Sequence, residues 1–147
     1  MPKRDDSDKK NVKEKQALGK LIVKCREAHN VMSQRQLASA VGLPPSNMKY
    51  IEDGVNAPTS DVYAKLIDVL QPSKSTRKKM DEHYMALRKA PPPDVCKTVM
   101  DTNGFVDALR MFEGQPITDA QAEQLQLLLA SFAEENRKGE TDHAEDL

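Results

Sequence analysis

Cysteine and histidine are the first candidates for chemistry in this 147-residue chain, because thiolates and imidazoles bind metals and act as nucleophiles or bases. Cys25, His29, His83 and Cys96 do not follow the ligand spacing of zinc sites. The sequence contains no glycine-rich phosphate loop and no HExxH motif, and its second half has no evident Ser/Lys dyad. We therefore expect a protein that is not an enzyme and that uses no metal and no cofactor.

Side chains that could bind a partner through hydrogen bonds follow Pro44. Ser46 can donate or accept a hydrogen bond, Lys49 can donate to an acceptor or an anion, and Tyr50 combines a flat ring with a hydroxyl. Asn47 lies among them, and Pro45 offers only van der Waals contact. These residues suit a binding surface, although the simplest alternative is that they are exposed polar residues of a short helix.

Two short helices are predicted to position this stretch. Ser33 is a good N-cap and Gln36 completes a capping box, so the first helix begins there. Gly42 ends it, Pro45 suits the first turn of the second helix, and Gly54 ends that helix. Helices separated by so short a turn cross steeply, which leaves the second helix projecting from the surface.

Apolar spacing predicts further helices on both sides of this pair. Leu18, Leu21, Ile22 and Cys25 form the stripe of a helix from about 15 to 29. The later helices are expected at 60–70, 75–88, 94–102, 105–112 and 118–136. Strand-like alternation is absent, so the expected fold class is all-α.

Charge divides the chain into two halves. Residues 1–90 carry 18 Lys and Arg against 11 Asp and Glu, whereas residues 91–147 carry 4 against 12. A basic half suits a polyanion and an acidic half does not, so any nucleic-acid contact is expected in the first ninety residues. The chain has no apolar run of bilayer length, no signal peptide and only two distant cysteines, which favours a cytoplasmic protein without membrane contact.

A pattern of residues runs from about Leu18 to Leu70: Leu18, Gly19, Leu21, Ile22, Arg26, Ser33, Gln34, Leu37, Ala38, Gly42, Ile51, Glu52, Gly54, Pro58, Leu66 and Leu70. On these residues, the region resembles the lambda-repressor-like (Cro/CI, or XRE) helix-turn-helix family of transcriptional regulators. The resemblance covers somewhat more than a third of the chain. It implies a five-helix helix-turn-helix DNA-binding domain, followed here by a small helical C-terminal region.

The resemblance also implies roles for individual residues. Its DNA-binding positions correspond to Gln34, Arg35, Pro45, Ser46, Asn47, Lys49, Tyr50 and Asn56. Among them, Gln34 and Asn56 are expected to hold phosphates, and the second helix is expected to read bases in the major groove. Arg26 and Glu52 are expected to form a partly buried ion pair that ties the first helix to the recognition helix.

The predicted organisation has five parts. Residues 1–14 form a disordered tail, 15–72 the DNA-binding domain, 73–90 an additional helix, 91–136 a helical region for dimerisation or a partner, and 137–147 an acidic disordered tail. Lys3, Arg4, Lys9 and Lys10 give the first tail an alternative role as an arm on phosphates or in a minor groove. The triple proline at 91–93 marks the main boundary.

A broad apolar stripe on the last predicted helix needs a partner surface. The dimer surface is expected to consist of Leu125, Leu128, Leu129 and Phe132, with Phe105, Leu109 and Phe112 beneath. An intramolecular core is the alternative explanation for the same stripe.

The function expected from these observations is a sequence-specific double-stranded DNA-binding regulator, a homodimeric repressor of an operator. An antitoxin-like protein whose C-terminal helices bind another protein is the alternative. A third possibility is an interaction module of the same fold that has no sequence-specific DNA binding.

Overall fold

The described residues are all helical. The structure is a computed structural model that describes residues 6–28 and 30–145, and side chains are described through residue 140. The helices are α1 (Asp6–Ala28), α2 (Gln34–Ala40), α3 (Pro45–Glu52), α4 (Ser60–Leu70), α5 (Lys74–Arg88), α6 (Pro93–Asp101), α7 (Phe105–Arg110) and α8 (Asp119–Glu145). The expected all-α class is confirmed for this part of the chain, in which none of the helices combines the length and apolarity needed to cross a membrane.

The chain divides into an N-terminal unit, Met1–Thr102, and a C-terminal unit, Asn103–Leu147. The buried core belongs to the N-terminal unit and draws residues from α1 to α5. Its members are Leu18, Ile22, Cys25, Leu37, Ala38, Val41, Met48, Ile51, Tyr63, Leu66, Leu70, Met80 and Tyr84. Since Met80 and Tyr84 of α5 are buried in this core, the predicted division between a domain at 15–72 and an additional helix at 73–90 does not match the packing.

The turn between α2 and α3 follows the predicted signals closely. The Ser33 hydroxyl accepts from the Gln36 amide at 3.1 Å and the Gln36 side chain accepts from the Ser33 amide at 2.8 Å, which confirms the capping box. Gly42 has φ +72°, and the Leu43 amide donates to the Ala38 carbonyl at 2.8 Å. This is a Schellman ending, in which a left-handed residue satisfies the last carbonyls of a helix.

α1 and α3 approach each other closely because glycine occupies the contact. A β-carbon added at Gly19 would lie 2.5 Å from the Glu52 carbonyl oxygen. Gly54, with φ +74°, ends α3 against α1, and a β-carbon there would lie 2.6 Å from Gln16 Cα. The backbone of α1 therefore fixes both the axis and the end of α3.

α1 begins nine residues earlier than the helix predicted from about 15. Residues 6–14 belong to α1 and not to a disordered tail, while residues 1–5 lie outside the described residues. Tertiary contact explains the difference, because the Glu14 carboxylate lies 2.5 Å from Nδ1 of His83 on α5. Lys9 and Lys10 of the alternative arm are exposed residues of this helix, and Lys3 and Arg4 are outside the described part.

The main boundary lies after α6, not at the triple proline. Pro92 is buried and α6 packs against α4, so residues 91–102 belong to the N-terminal unit and not to the predicted region 91–136. This helix was expected at 94–102, but its N-cap residue is Pro92 and it runs over Pro93–Asp101. The Asp94 carboxylate binds Arg77 of α5, with 2.8 Å between Oδ2 and Nη2.

A stacked aromatic pair joins α4 to α5 near this contact. The rings of Tyr63 and Tyr84 have centroids 4.2 Å apart, and the Tyr63 hydroxyl donates to Asp81 Oδ1 at 2.6 Å. Burial, followed by the hydrogen bond to Asp81, raises the pKa of Tyr63 well above its ordinary value. Burial likewise raises the pKa of Tyr84.

The C-terminal unit consists of α7, a turn and α8. Thr118 and Gln121 form a capping box at the start of α8, with 3.2 Å from the Gln121 amide to the Thr118 hydroxyl and 3.0 Å from the Thr118 amide to the Gln121 side-chain oxygen. α8 continues to Glu145, past the expected end near residue 136, so residues 137–145 are helical and not a disordered tail. Residues 146 and 147 of that predicted tail lie outside the described residues.

Candidate functional site

α3 presents an exposed outer face, polar except for Pro45, and buries the apolar residues of its inner face. Met48 and Ile51 are buried in the core, as the spacing predicts. The five outward residues are all exposed: Pro45, Ser46, Asn47, Lys49 and Tyr50. Tyr50 keeps 47% of its surface accessible. The four residues expected at base-reading positions, Pro45, Ser46, Lys49 and Tyr50, and Asn47 between them are therefore all accessible on α3.

A buried ionic cluster fixes α3 relative to α1. Arg26 Nε donates to Glu52 Oε1 at 2.6 Å, Arg26 Nη2 donates to Oε2 at 3.3 Å, and Arg26 Nη1 donates to the Met32 carbonyl at 2.9 Å. The Glu52 side chain is only 2% exposed. A two-pronged guanidinium–carboxylate contact of this kind sets direction as well as distance. The contact orients α3 through Glu52, the last residue of that helix.

Gln34 joins this cluster, which sequence reasoning did not anticipate. Its side-chain Nε2 donates to Glu52 Oε2. An amide nitrogen carries two hydrogens, so one remains for an acceptor outside the cluster. Gln34 is half-buried at the start of α2, and the neighbouring Arg35 is exposed. The pairing of Gln34 depends on how α2 meets α3, and no local motif indicates it.

Arg88 of α5 binds the loop that follows α3. Arg88 Nε donates to the Pro58 carbonyl and Arg88 Nη2 donates to the Ala57 carbonyl, each at 2.9 Å. Asn56, the remaining expected site residue, is exposed just before these two carbonyls. Arg88 was predicted only as a helix end, so its positioning role is a further contact that the sequence did not reveal.

Of the four candidate reactive side chains, Cys25, His83 and Cys96 belong to the part of the chain that the structure describes, and His29 lies outside it. Cys25 is 1% exposed, and burial raises the pKa of its thiol, which disfavours the nucleophilic thiolate. Within the described residues, no three His, Cys, Asp or Glu side chains are grouped so that they could hold a metal ion.

The C-terminal unit has an uncovered apolar face. None of its side chains described in residues 103–140 is buried, and Leu125, Leu128, Leu129 and Phe132 are each between 41% and 51% exposed. Leu109 and Phe112 are similarly exposed, and Phe105 is half-buried. A hollow of about 310 Å³ lies between Phe112, Ile117 and the start of this face. Within residues 103–140 of the C-terminal unit, these side chains do not form a buried core.

Comparison of the chain with known protein families, with curated proteins and with solved structures gives no significant match.

Proposed function

We propose that the protein is a sequence-specific DNA-binding transcriptional regulator of the helix-turn-helix kind, with α2 and α3 as the two helices of the motif and α3 as the recognition helix. In this proposal, the lambda-repressor-like domain comprises α1 to α5. The protein acts as a dimeric repressor that occupies a two-fold operator through the major groove.

The observation that carries the proposal is the outer face of α3. Five polar or small residues project from a short helix whose opposite face is buried and whose orientation is fixed by Arg26 and Glu52. One α-helix fits the major groove, and residues near its N-terminus reach base edges. Lys49 can donate to guanine O6 or N7, Ser46 can donate or accept, and Tyr50 can contact a thymine methyl or a sugar.

Phosphate contacts would come from the residues around α3. Gln34 has one free amide hydrogen at the start of α2, Arg35 is exposed beside it, and Asn56 is exposed after α3. These positions lie in sequence on either side of the recognition helix. Contacts to phosphates fix the register of a protein on the duplex and do not themselves read the sequence.

Dimerisation would use the apolar face of the C-terminal unit. The stripe Leu125, Leu128, Leu129 and Phe132 remains 41–51% exposed, so a dimer would bury about half of each side chain and gain roughly 0.8–1.5 kcal/mol for each of them. Two copies would then present two recognition helices to half-sites about one helical turn apart, or a multiple of it.

The test is selection of binding sites from a random duplex library at physiological salt. Full-length protein should enrich a motif with two-fold symmetry. Lys49→Ala and Tyr50→Ala should each weaken binding by about 1–3 kcal/mol and relax preference at one or two positions. Gln34→Ala should weaken binding to all sequences alike. Absence of any enriched motif with the folded full-length protein would contradict the proposal.

The second candidate, an antitoxin-like protein that binds another protein, is favoured by the same uncovered face of the C-terminal unit. It predicts a full-length protein that stays monomeric until a protein partner is added. A monomer that enriches a DNA motif without two-fold symmetry would favour this candidate over a self-associating repressor.

A further inference from the structure

A polar cleft of about 570 Å³ lies beside the exposed face of α3. It is bounded by α1, α3, the loop that follows α3, α4 and α5. The polar residues that line it are Asn11, Lys15, Asn47, Asn56, Thr59 and Arg88. The cleft thus presents two cations, three side-chain amides and a hydroxyl, with no carboxylate among its lining residues, although acids outnumber bases in the whole chain. Such a lining favours an anion.

Lys15 is the group that lacks a counter-charge. It is half-buried, and within the described part of the chain it makes no ion pair. The nearest acid on the same helix, Glu14, is engaged by His83 of α5. Arg88 also keeps its positive charge available, because its two bonds in this region go to neutral carbonyls. The cleft therefore carries unbalanced positive charge beside α3.

The two cleft residues of α1 belong to one helix face. Asn11 and Lys15 are four residues apart, which places them one above the other on a helix. The contact between Glu14 and His83 and the close approach at Gly54 hold this part of α1 in place. Asn47 belongs both to the exposed surface of α3 and to the cleft lining. An anion in the cleft would therefore adjoin whatever contacts α3.

We infer that this cleft is a seat for a backbone phosphate of the DNA duplex, in which Lys15 and Asn11 of α1 act with Asn47 and Asn56. The inference rests on the proposed function and extends its interface from α2 and α3 to α1. Lys15 supplies charge, and the amides donate hydrogen bonds to phosphate oxygens. Free phosphate has the same chemistry, and the duplex is preferred because the cleft adjoins the base-reading residues.

The test compares Lys15→Gln with Lys13→Gln in the full-length protein. Lys13 is an exposed lysine of the same helix that does not line the cleft, so the two variants lose the same charge. On the selected duplex, the slope of log K against log salt should become shallower by about 0.9 for Lys15→Gln, the value of one phosphate contact, and should not change for Lys13→Gln. Lys15→Arg, which keeps the charge, should retain the slope.

Single methylphosphonate linkages in the duplex locate the contact. One neutral linkage should weaken wild-type and Lys13→Gln binding, and it should have a clearly smaller effect on Lys15→Gln, in which only the amide contacts to that phosphate remain. If wild type binds the duplex selectively but both Gln variants keep its salt slope and its methylphosphonate profile, the inference is wrong and the proposed function stands. If wild type binds no duplex, both are wrong.

A titration with inorganic phosphate distinguishes the two possible ligands of the cleft, a phosphate of the DNA backbone and free phosphate. The side-chain amide signals of Asn11, Asn47 and Asn56 in nuclear magnetic resonance spectra report on occupancy of the cleft. Phosphate-dependent shifts that vanish in Lys15→Gln, with no methylphosphonate-sensitive linkage, would overturn the duplex assignment in favour of a small phosphate ligand.

Discussion

At the scale of the residue, the buried contact between Arg26 and Glu52 has the largest consequence for α3. Both side chains are almost fully buried. The Met32 carbonyl accepts a further hydrogen bond from Arg26, and the Gln34 amide donates a further hydrogen bond to Glu52. Removal of Arg26 would leave the buried Glu52 carboxylate without a cation, and removal of Glu52 would leave Arg26 with only the exposed Glu27 carboxylate at 3.7 Å, whereas removal of both partners leaves no buried charge.

A double-mutant cycle measures this asymmetry. We expect Arg26→Met and Glu52→Met each to lower the free energy of unfolding by about 3–5 kcal/mol, and the double variant to recover part of that loss. Urea unfolding of the four proteins gives the coupling energy. A double variant that is destabilised by the sum of the single effects would show that the two side chains act independently.

The second residue-scale prediction concerns alkaline pH. The pKa of Tyr63 is raised in the folded state, so its ionisation favours unfolding: the stability is fully present below about pH 10, where unfolded tyrosine ionises, and declines above it. The decline is about 1.4 kcal/mol per pH unit for each such group.

Tyr63→Phe should therefore show a shallower loss of stability between about pH 10 and 11 than wild type, measured by urea unfolding at each pH. Tyr50→Phe, which removes an exposed hydroxyl, is the matched control. Equal slopes in wild type and Tyr63→Phe would contradict the assignment of this loss to Tyr63.

At the scale of the element, the ends of α2 and α3 depend on glycine for different reasons. Gly42 and Gly54 have nearly the same φ, +72° and +74°. A β-carbon would meet nothing within 4 Å at Gly42, but at Gly54 it would meet the backbone of α1. Gly42 is therefore required only for the left-handed backbone at the end of α2. Gly54 is required for the left-handed backbone at the end of α3 and for the close packing of α1 on α3.

Alanine substitutions separate the two contributions. Gly42→Ala should cost roughly 1–2 kcal/mol, the penalty of a left-handed residue with a β-carbon. Gly54→Ala should cost clearly more, because α1 must also move away from α3. Thermal and urea unfolding give both values. A Gly54→Ala variant no less stable than Gly42→Ala would contradict the close approach of α1 to α3.

At the scale of the whole molecule, the two units differ in what they bury. The N-terminal unit contains the core described above, while the C-terminal unit leaves its apolar side chains accessible. The acidic character predicted for the second half of the chain makes non-specific nucleic-acid contact by α8 unfavourable. Burial against a second copy of the chain is the role proposed for this apolar face.

A substitution on α8 tests that role in the full-length protein. Leu128→Glu should raise the dimer dissociation constant at least tenfold, because burial of the exposed half of a leucine is worth about 0.8–1.5 kcal/mol and a buried charge costs more. Leu127→Glu is the matched control, since successive residues differ by about 100° on a helix and Leu127 lies opposite the stripe. Sedimentation equilibrium measures both.

Loss of association in both variants would indicate a general charge effect and not a face of α8. A wild-type chain that remains monomeric at high micromolar concentration would contradict the dimer itself, and would turn attention to a different protein partner.

The sequence by itself determined those features that depend on neighbours along the chain. The capping box at Ser33, the glycine endings at Gly42 and Gly54, and the inward stripe of α1 with Leu18, Ile22 and Cys25 were all predicted. Each follows from a hydrogen bond or a side-chain period within a few residues.

Only the tertiary structure decided the features that depend on distant contacts. Glu14 meets His83 and so belongs to a helix, Asp94 meets Arg77 and so places α6 in the N-terminal unit, and Gln34 meets Glu52. The cleft beside α3 exists because Lys15 and Asn56 are brought together from different elements. These partners are between 17 and 69 residues apart, and no local pattern records such a pairing.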